Sequence, residues 1–427
     1  MTTSNVIDNS DLAVVTPREL EEQTRQVLQE IETSGINAFS WVQCTPAVFE
    51  NEALAGELSE RPLAGLPVAV KEVIDVAGAP IGRGCGAFAG RIADASAEIV
   101  LRLEALGAQI IGITRSTEMA IAGETSTLNP WSSQHSPGAS SSGSAAAVGA
   151  GLVPFALGTQ TIGSVIRPAA YCGVVGFKPS LGVGPTAGVA LLSATLDHVG
   201  YFADSLERMR QVLSLLYPSL SPIQKADSRP RFVFVEPWFD CTGLGPFYAR
   251  QHRLKSACEA SGYDWAELTL DEEITGQEAR LVHTILCFEM FRSWGSTLLH
   301  HPGASEELKG FLRHGKSITE DEYNACLNAR LDMMERVAGQ LDRGDIVVFP
   351  SVLGVPPKIG QGTGSRDPQR LWTLLGMPAL NLPVGWGEGF PLNLQLVARR
   401  GEDRRLLEAA QIVSELMGQP IPDSVNG

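Results

Sequence analysis

Short β-branched runs alternate with amphipathic helical stripes along most of this chain, and that alternation restricts the folds open to it. The segment "VTPRELEEQTRQVLQEIET" places Thr16 three residues before Glu19, the spacing of a capping box, with Val15 and Leu20 positioned for a hydrophobic staple. A first helix is predicted there. The segment "LPVAVKEVIDVAG" supplies apolar, β-rich runs interrupted by Lys71 and Asp75. "DASAEIVLRLEALG" carries a helical stripe and a glycine stop before the buried run "AQIIGIT". "PRFVFVEP", "DIVVFPS" and "ALNLPV" read as further short buried strands, and "EDRRLLEAAQIVSELMG" as a last amphipathic helix. The pattern predicts an α/β protein: a sandwich whose large mixed, mainly parallel central sheet is covered by helices on both faces.

Composition narrows the function. With 427 residues, 44% of them hydrophobic and 19% charged, the chain can bury a large core without disulfides or a metal. A formal charge of −15 argues against nucleic acid or an anionic membrane as partner, although a local arginine can still receive a small anion. The seven cysteines (Cys44, Cys85, Cys172, Cys241, Cys258, Cys287, Cys326) are scattered without metal-ligand spacing and read as buried or idle thiols. The segment "MTTSNVIDNSDLAVV" lacks the basic and apolar regions of a signal peptide, and no window reaches the ~18 apolar residues of a membrane span. A reducing cytoplasm is the expected compartment. Residues from about 201 to 345 are more helical and polar, and are expected to supply pocket walls.

One stretch stands apart, "SPGASSSGSAAAVGAGLVPFALGTQTIGSVIRPAAYCGVVGFKPS", residues Ser136 to Ser180. A flexible linker would not continue into so apolar a run, and neither GxxxxGK[ST] nor GxGxxG appears after a strand, so a nucleotide cradle is not indicated. Several hydroxyls in a buried loop of small residues suit a serine that attacks a carbonyl while backbone N–H groups hold the oxyanion. The base for such a serine is not an evident histidine: His135 and His198 lie nearest, and neither belongs to a GxSxG elbow. Lys71, which ends the apolar run "LPVAV", fits better, because a desolvated lysine loses its charge readily. A lysine at the solvent end of a strand is the plainer alternative. The residues alone do not rank Ser164 above Ser141, Ser142 or Ser144, which read equally as loop serines bonded to backbone.

The motifs "GLPVAVKE", "GASSSGS", "GTQTIGSVIRPAAYCGVVGFKP" and "LGMPALNLPVG", in that order, resemble the amidase signature family, with similarity running from about Pro62 onward. "HSPG", "SVIRPAAYCG" and "RLWTLLGMP" are most similar to its malonamidase branch. The resemblance implies a single α/β/α domain over residues 1–427, with a signature core at about 62–200, a variable helical region at about 201–345 and a return to the core at about 346–427. It implies Lys71 as catalytic lysine, Ser140 as a bridging serine in a cis peptide conformation, and Ser164 as acyl-accepting nucleophile. The backbone N–H groups of Thr161, Ile162, Gly163 and Ser164 would form the oxyanion hole. Homodimerisation is implied by the resemblance alone. No metal or organic cofactor is expected, because the relay supplies acid, base and nucleophile itself.

Arg167, three residues after Ser164, resembles the malonamidase receptor for a substrate carboxylate, and a guanidinium suits that bidentate task. Its alternative is a structural ion pair. The commoner arginine position, two residues after the serine, holds Ile166. Gly138, Ala139 and Ile162 complete the expected substrate contacts, and two of them depart from the family pattern: Ala139 and Ile162 each replace a glycine. A β-branched residue disfavours positive φ, so the oxyanion loop is expected to have ordinary dihedrals or to have shifted, with a reshaped pocket. Glu72 in place of aspartate is a milder change. The leading expectation is an amide hydrolase acting on a small amide that bears a carboxylate, with ureido and carbamate bonds within reach of the same chemistry. The alternatives are a glutaminase subunit of a tRNA-dependent amidotransferase, and a catalytically inactive binding or scaffold protein on the same fold.

Overall fold

The computed structural model of the chain describes residues 16–43, 59–221 and 229–418. Eleven strands form one sheet: β1 (Phe39–Val42), β2 (Pro67–Lys71), β3 (Gln109–Thr114), β4 (Phe155–Gln160), β5 (Val175–Lys178), β6 (His198–Ala203), β7 (Arg231–Val235), β8 (Trp265–Leu268), β9 (Asp345–Phe349), β10 (Ala379–Gly387) and β11 (Phe390–Ala398). Their spatial order is β1-β3-β2-β4-β6-β5-β10-β11-β9-β7-β8. The mixed sheet is as expected, but its parallel preponderance is not. Parallel pairing is confined to β3-β2-β4 and β9-β7-β8, and the other six pairings among the described residues are antiparallel. The reason lies in the connections: a parallel return needs a long crossover. Glu388 and Gly389, with φ of 55° and 80°, instead join β10 directly to β11 as a tight hairpin.

Strand alternation sorts the side chains onto two faces. On one face Val68, Val70, Phe155, Leu157, Phe232, Phe234, Ile346, Val348, Leu394 and Leu396 share a single core. It is covered by α2 (Glu98–Ala105), α5 (Leu206–Leu216), α6 (Gly245–Ser261) and α11 (Asp403–Met417). The other face is divided. Ala69, Ala156 and Phe202 meet α1 (Pro17–Thr33), α3 (Ser142–Gly149) and α4 (Ile166–Cys172), while Val233, Val347 and Phe349 meet α7 (Glu278–Leu298), α8 (Glu306–Ser317), α9 (Glu320–Gln340) and α10 (Asp367–Leu374). Helices therefore cover both faces.

The first helix carries its capping box: the Thr16 hydroxyl accepts from the Glu19 amide and the Glu19 carboxylate accepts from the Thr16 amide. The staple expected with Val15 lies outside the described residues, as does Cys44. The six described cysteines are free thiols, five of them buried. Among the described residues no helix is long and apolar enough to cross a membrane.

The small residues of α3 answer a packing need. Ala145, Ala146 and Ala147 are fully buried against Ala69, Ala156 and α4, so helix and sheet approach closely there. Alternation along β2 carries Lys71 to the face of Ala69, at the end of the strand and beside this tightly packed layer.

Candidate functional site

Lys71 has 0% exposure and makes no ion pair among the described residues. Its Nζ donates to Ser140 Oγ and to Thr159 Oγ1, each at 2.8 Å. Burial pulls its pKa down to about 7, against the opposing pull of the Asp197 and Glu72 carboxylates. The strand-end lysine is thus enclosed rather than solvated. Asp197 is itself buried and pushed up to about 6, held from rising further by the Thr161 hydroxyl and the Ser193 and Leu192 amides. The Glu72 carboxylate accepts from the Ser116 amide at 2.6 Å, and burial raises its pKa.

Ser140 sits in the loop that leads into α3. Every described peptide bond is trans, the one before Ser140 included, which corrects the cis conformation implied by resemblance. The hydroxyl reaches Lys71 from a trans backbone because the chain turns at Ser141, φ −93° and ψ 35°, immediately before the helix. The neighbouring serines serve the backbone: Ser141 Oγ donates to Thr159 O, Ser144 Oγ donates to Leu157 O, and Ser142 Oγ meets Thr125 Oγ1. His135 bonds Ser132, and His198 is buried with its Nδ1 at Leu196 O, so neither touches Ser140 or Ser164.

Ser164, 9% exposed, lies in the turn between β4 and α4. Gln160 shapes that turn. Its Oε1 accepts from the Val165 and Ile166 amides at 2.9 and 3.1 Å, and its Nε2 donates to Thr373 Oγ1, which in turn donates to Ile162 O. The backbone N–H groups of Thr161, Ile162, Gly163 and Ser164 have no acceptor among the described residues. Neither Ile162 nor Gly163 has positive φ, so the β-branched residue is accommodated with ordinary dihedrals. A Cβ on Gly163 would stand 2.6 Å from Gln369 Oε1, which keeps this turn in contact with α10.

Ser140 and Ser164 line one cavity of about 360 Å³, together with Ala139, Ile162, Arg167, Gly362, Thr363, Gly364 and Arg366. No hydrogen bond joins the two serines. Gly138 is not part of the wall. With φ +107° and room for no Cβ, which would fall 2.8 Å from Pro168 Cα, it turns the chain against α4 instead. Arg167, 2% exposed, donates from Nη1 to Gly364 O at 2.6 Å and leaves its buried Nε without an acceptor. It makes no ion pair among the described residues, so the structural alternative for it is not what the fold contains. Burial and the nearby Arg366 and Arg370 charges bring its pKa down to about 9. The region 201–345, expected to wall the pocket, contributes Leu286 and Glu307 only. Thr159, Gln160, Asp197, Arg366 and Thr373 escaped the sequence reading. A polar residue inside an otherwise buried run, as at Gln160, is the signal that marks such positions.

The family model described as Amidase matches residues 22–236, reaching back beyond Pro62. Amidase 1 of Oryza sativa subsp. japonica is 31% identical over 82% of this chain and 90% of its own length. A glutamyl-tRNA(Gln) amidotransferase subunit of Methanosarcina mazei is 28% identical over 91% of this chain and 92% of its own. A solved structure described as an amidase superposes with a TM-score of 0.82 at 27% identity, over 94% of this chain and 96% of that one. The motifs, the buried Lys71 beside the serine loop and the family match agree: the chain belongs to the amidase family.

Proposed function

We propose that the chain hydrolyses a small amide bearing a carboxylate, of the malonamate type, through an acyl-enzyme on Ser164. The observation that carries this reading is Lys71: a fully buried lysine whose pKa is brought down to about 7, so that a large share of it is neutral at pH 7, bonded to a serine at the wall of a small cavity. Neutral Lys71 accepts the Ser140 proton, and Ser140 accepts the Ser164 proton as that oxygen adds to the amide carbonyl. The Ser140–Ser164 link closes as the acyl group is seated. Unspent N–H groups from Thr161 to Ser164 receive the developing oxyanion, where one such donor is typically worth about 10²–10³ in rate. Collapse passes the proton back through Ser140 to the leaving nitrogen, and water then cleaves the ester by the same relay. Arg167, buried in the same wall without a carboxylate partner, is the receptor for the acidic end of the acyl group.

Intact-protein mass spectrometry after fluorophosphonate treatment, alongside turnover of malonamate, succinamate and neutral short amides, tests the reading. One adduct on the wild type, absent from Ser164→Ala, with turnover of an acidic amide, is expected. No adduct and no turnover would overturn it in favour of an inactive scaffold.

A second reading has support in the glutamyl-tRNA(Gln) amidotransferase relatives, similar over nine-tenths of the chain. Here the same machinery would release ammonia from glutamine within a complex. Glutamine hydrolysis exceeding that of malonamate would favour it.

A further inference from the structure

Arg366 immediately precedes α10, half-buried, and lines the same cavity as Arg167 and Ser164. Its side chain has neither a hydrogen bond nor an ion pair among the described residues, whereas Arg370, one turn further on, is paired with Asp367. The two cavity arginines therefore differ from an ordinary surface arginine in the same way: both lie in a poorly solvated wall and neither has a carboxylate against it. They also repel, since Arg366 is the foremost of the charges that hold Arg167 down. Like charges converging on a small cavity are stabilised when an anion enters between them.

The carboxylates of the cavity do not fill that role. Glu124 accepts from the Gly360 and Gly362 amides at 3.0 and 2.7 Å, and Glu307 accepts from the Gly123 amide at 3.0 Å. Both also line an adjoining, more open cavity with Glu118, which neither arginine reaches. Glu307 attracts Arg366 without forming an ion pair with it. The cavity is thus cationic on the Arg167 and Arg366 side and anionic toward its neighbour.

We propose that Arg366 is a second anion contact, so that the carboxylate of the substrate is shared between the Arg167 and Arg366 guanidiniums. This rests on the amidase reading, because it concerns the acidic end of the same substrate. It also sharpens the substrate class to short acyl chains ending in a carboxylate, since Arg167, Arg366 and Ser164 border one cavity of about 360 Å³.

Calorimetric titration of malonate into the wild type, Arg366→Gln, Arg366→Lys and Arg167→Gln tests this, with thermal melts to verify that each variant is folded. A charge-assisted contact of this kind corresponds to about tenfold or more in affinity. Both glutamine variants are expected to weaken malonate by that factor, and Arg366→Lys to recover part of the loss. Wild-type affinity in Arg366→Gln, or a wild type that does not bind malonate, overturns the proposal. Labelling of Ser164 by a fluorophosphonate separates the two readings. A labelled enzyme whose Arg366→Gln variant binds malonate normally remains an amidase without this clamp. An unlabelled one that binds malonate through both arginines keeps the clamp and loses the serine nucleophile.

Discussion

Gln160 Nε2 and Thr373 Oγ1 meet at 2.9 Å across 213 positions of sequence. Through that bond the end of β4 and the helix α10 hold the Thr161–Ser164 turn from both sides, since Gln160 also accepts from the Val165 and Ile166 amides and Thr373 also donates to Ile162 O.

Replacing Gln160 by leucine leaves the two buried amides without an acceptor, at about 1–3 kcal/mol each. A denaturant titration is expected to show Gln160→Leu less stable by about 2–6 kcal/mol, and kcat to fall as the turn loosens. Unchanged stability would show that the amides find other acceptors.

The pH dependence follows from Lys71. A base must be neutral, and burial places this lysine's pKa at about 7, so kcat/KM should rise through that region and level off above it. Asp197 favours the charged form, so Asp197→Asn should move the midpoint to lower pH. A midpoint unmoved in the variant, measured over pH 5 to 10, would exclude the coupling.

Lys71 also affects stability, with a definite sign. Its folded pKa lies below that of the unfolded chain, so the unfolded state binds the extra proton between about 10.5 and about 7. The cost to folding grows as pH falls across that window and is constant below it. Lys71→Met should therefore melt above the wild type at pH 7, with a gap that closes toward pH 10. A gap independent of pH would place the lysine's charge in solvent.

Ile162 borders the cavity while its carbonyl is held by Thr373. Removing its side chain enlarges the cavity beside Ser164 without touching that bond. Ile162→Gly is expected to raise kcat/KM for bulkier acyl groups relative to malonamate in a competition assay. An identical substrate profile would show that Ile162 does not limit the acyl group.

Much of the architecture was legible locally. The Thr16–Glu19 capping box, the glycine stop after α2 and the β-branched runs of β7, β9 and β10 each rest on interactions within a few residues, so periodicity and turn chemistry suffice to find them. The approximate place of the site was legible too, because a buried layer of alanine, glycine and serine constrains what can pack there. What only the tertiary structure decided depends on contacts between distant segments. Antiparallel pairing dominates because of how strands such as β5, β6, β10 and β11 are arranged, not because of their composition. Lys71 is a candidate base because Ser140 and Thr159 close over it, and burial then removes the water that would keep it charged. Arg366, nearly two hundred positions beyond Arg167, enters the same cavity only once α10 packs against the Ser164 turn, so no local pattern could have joined the two.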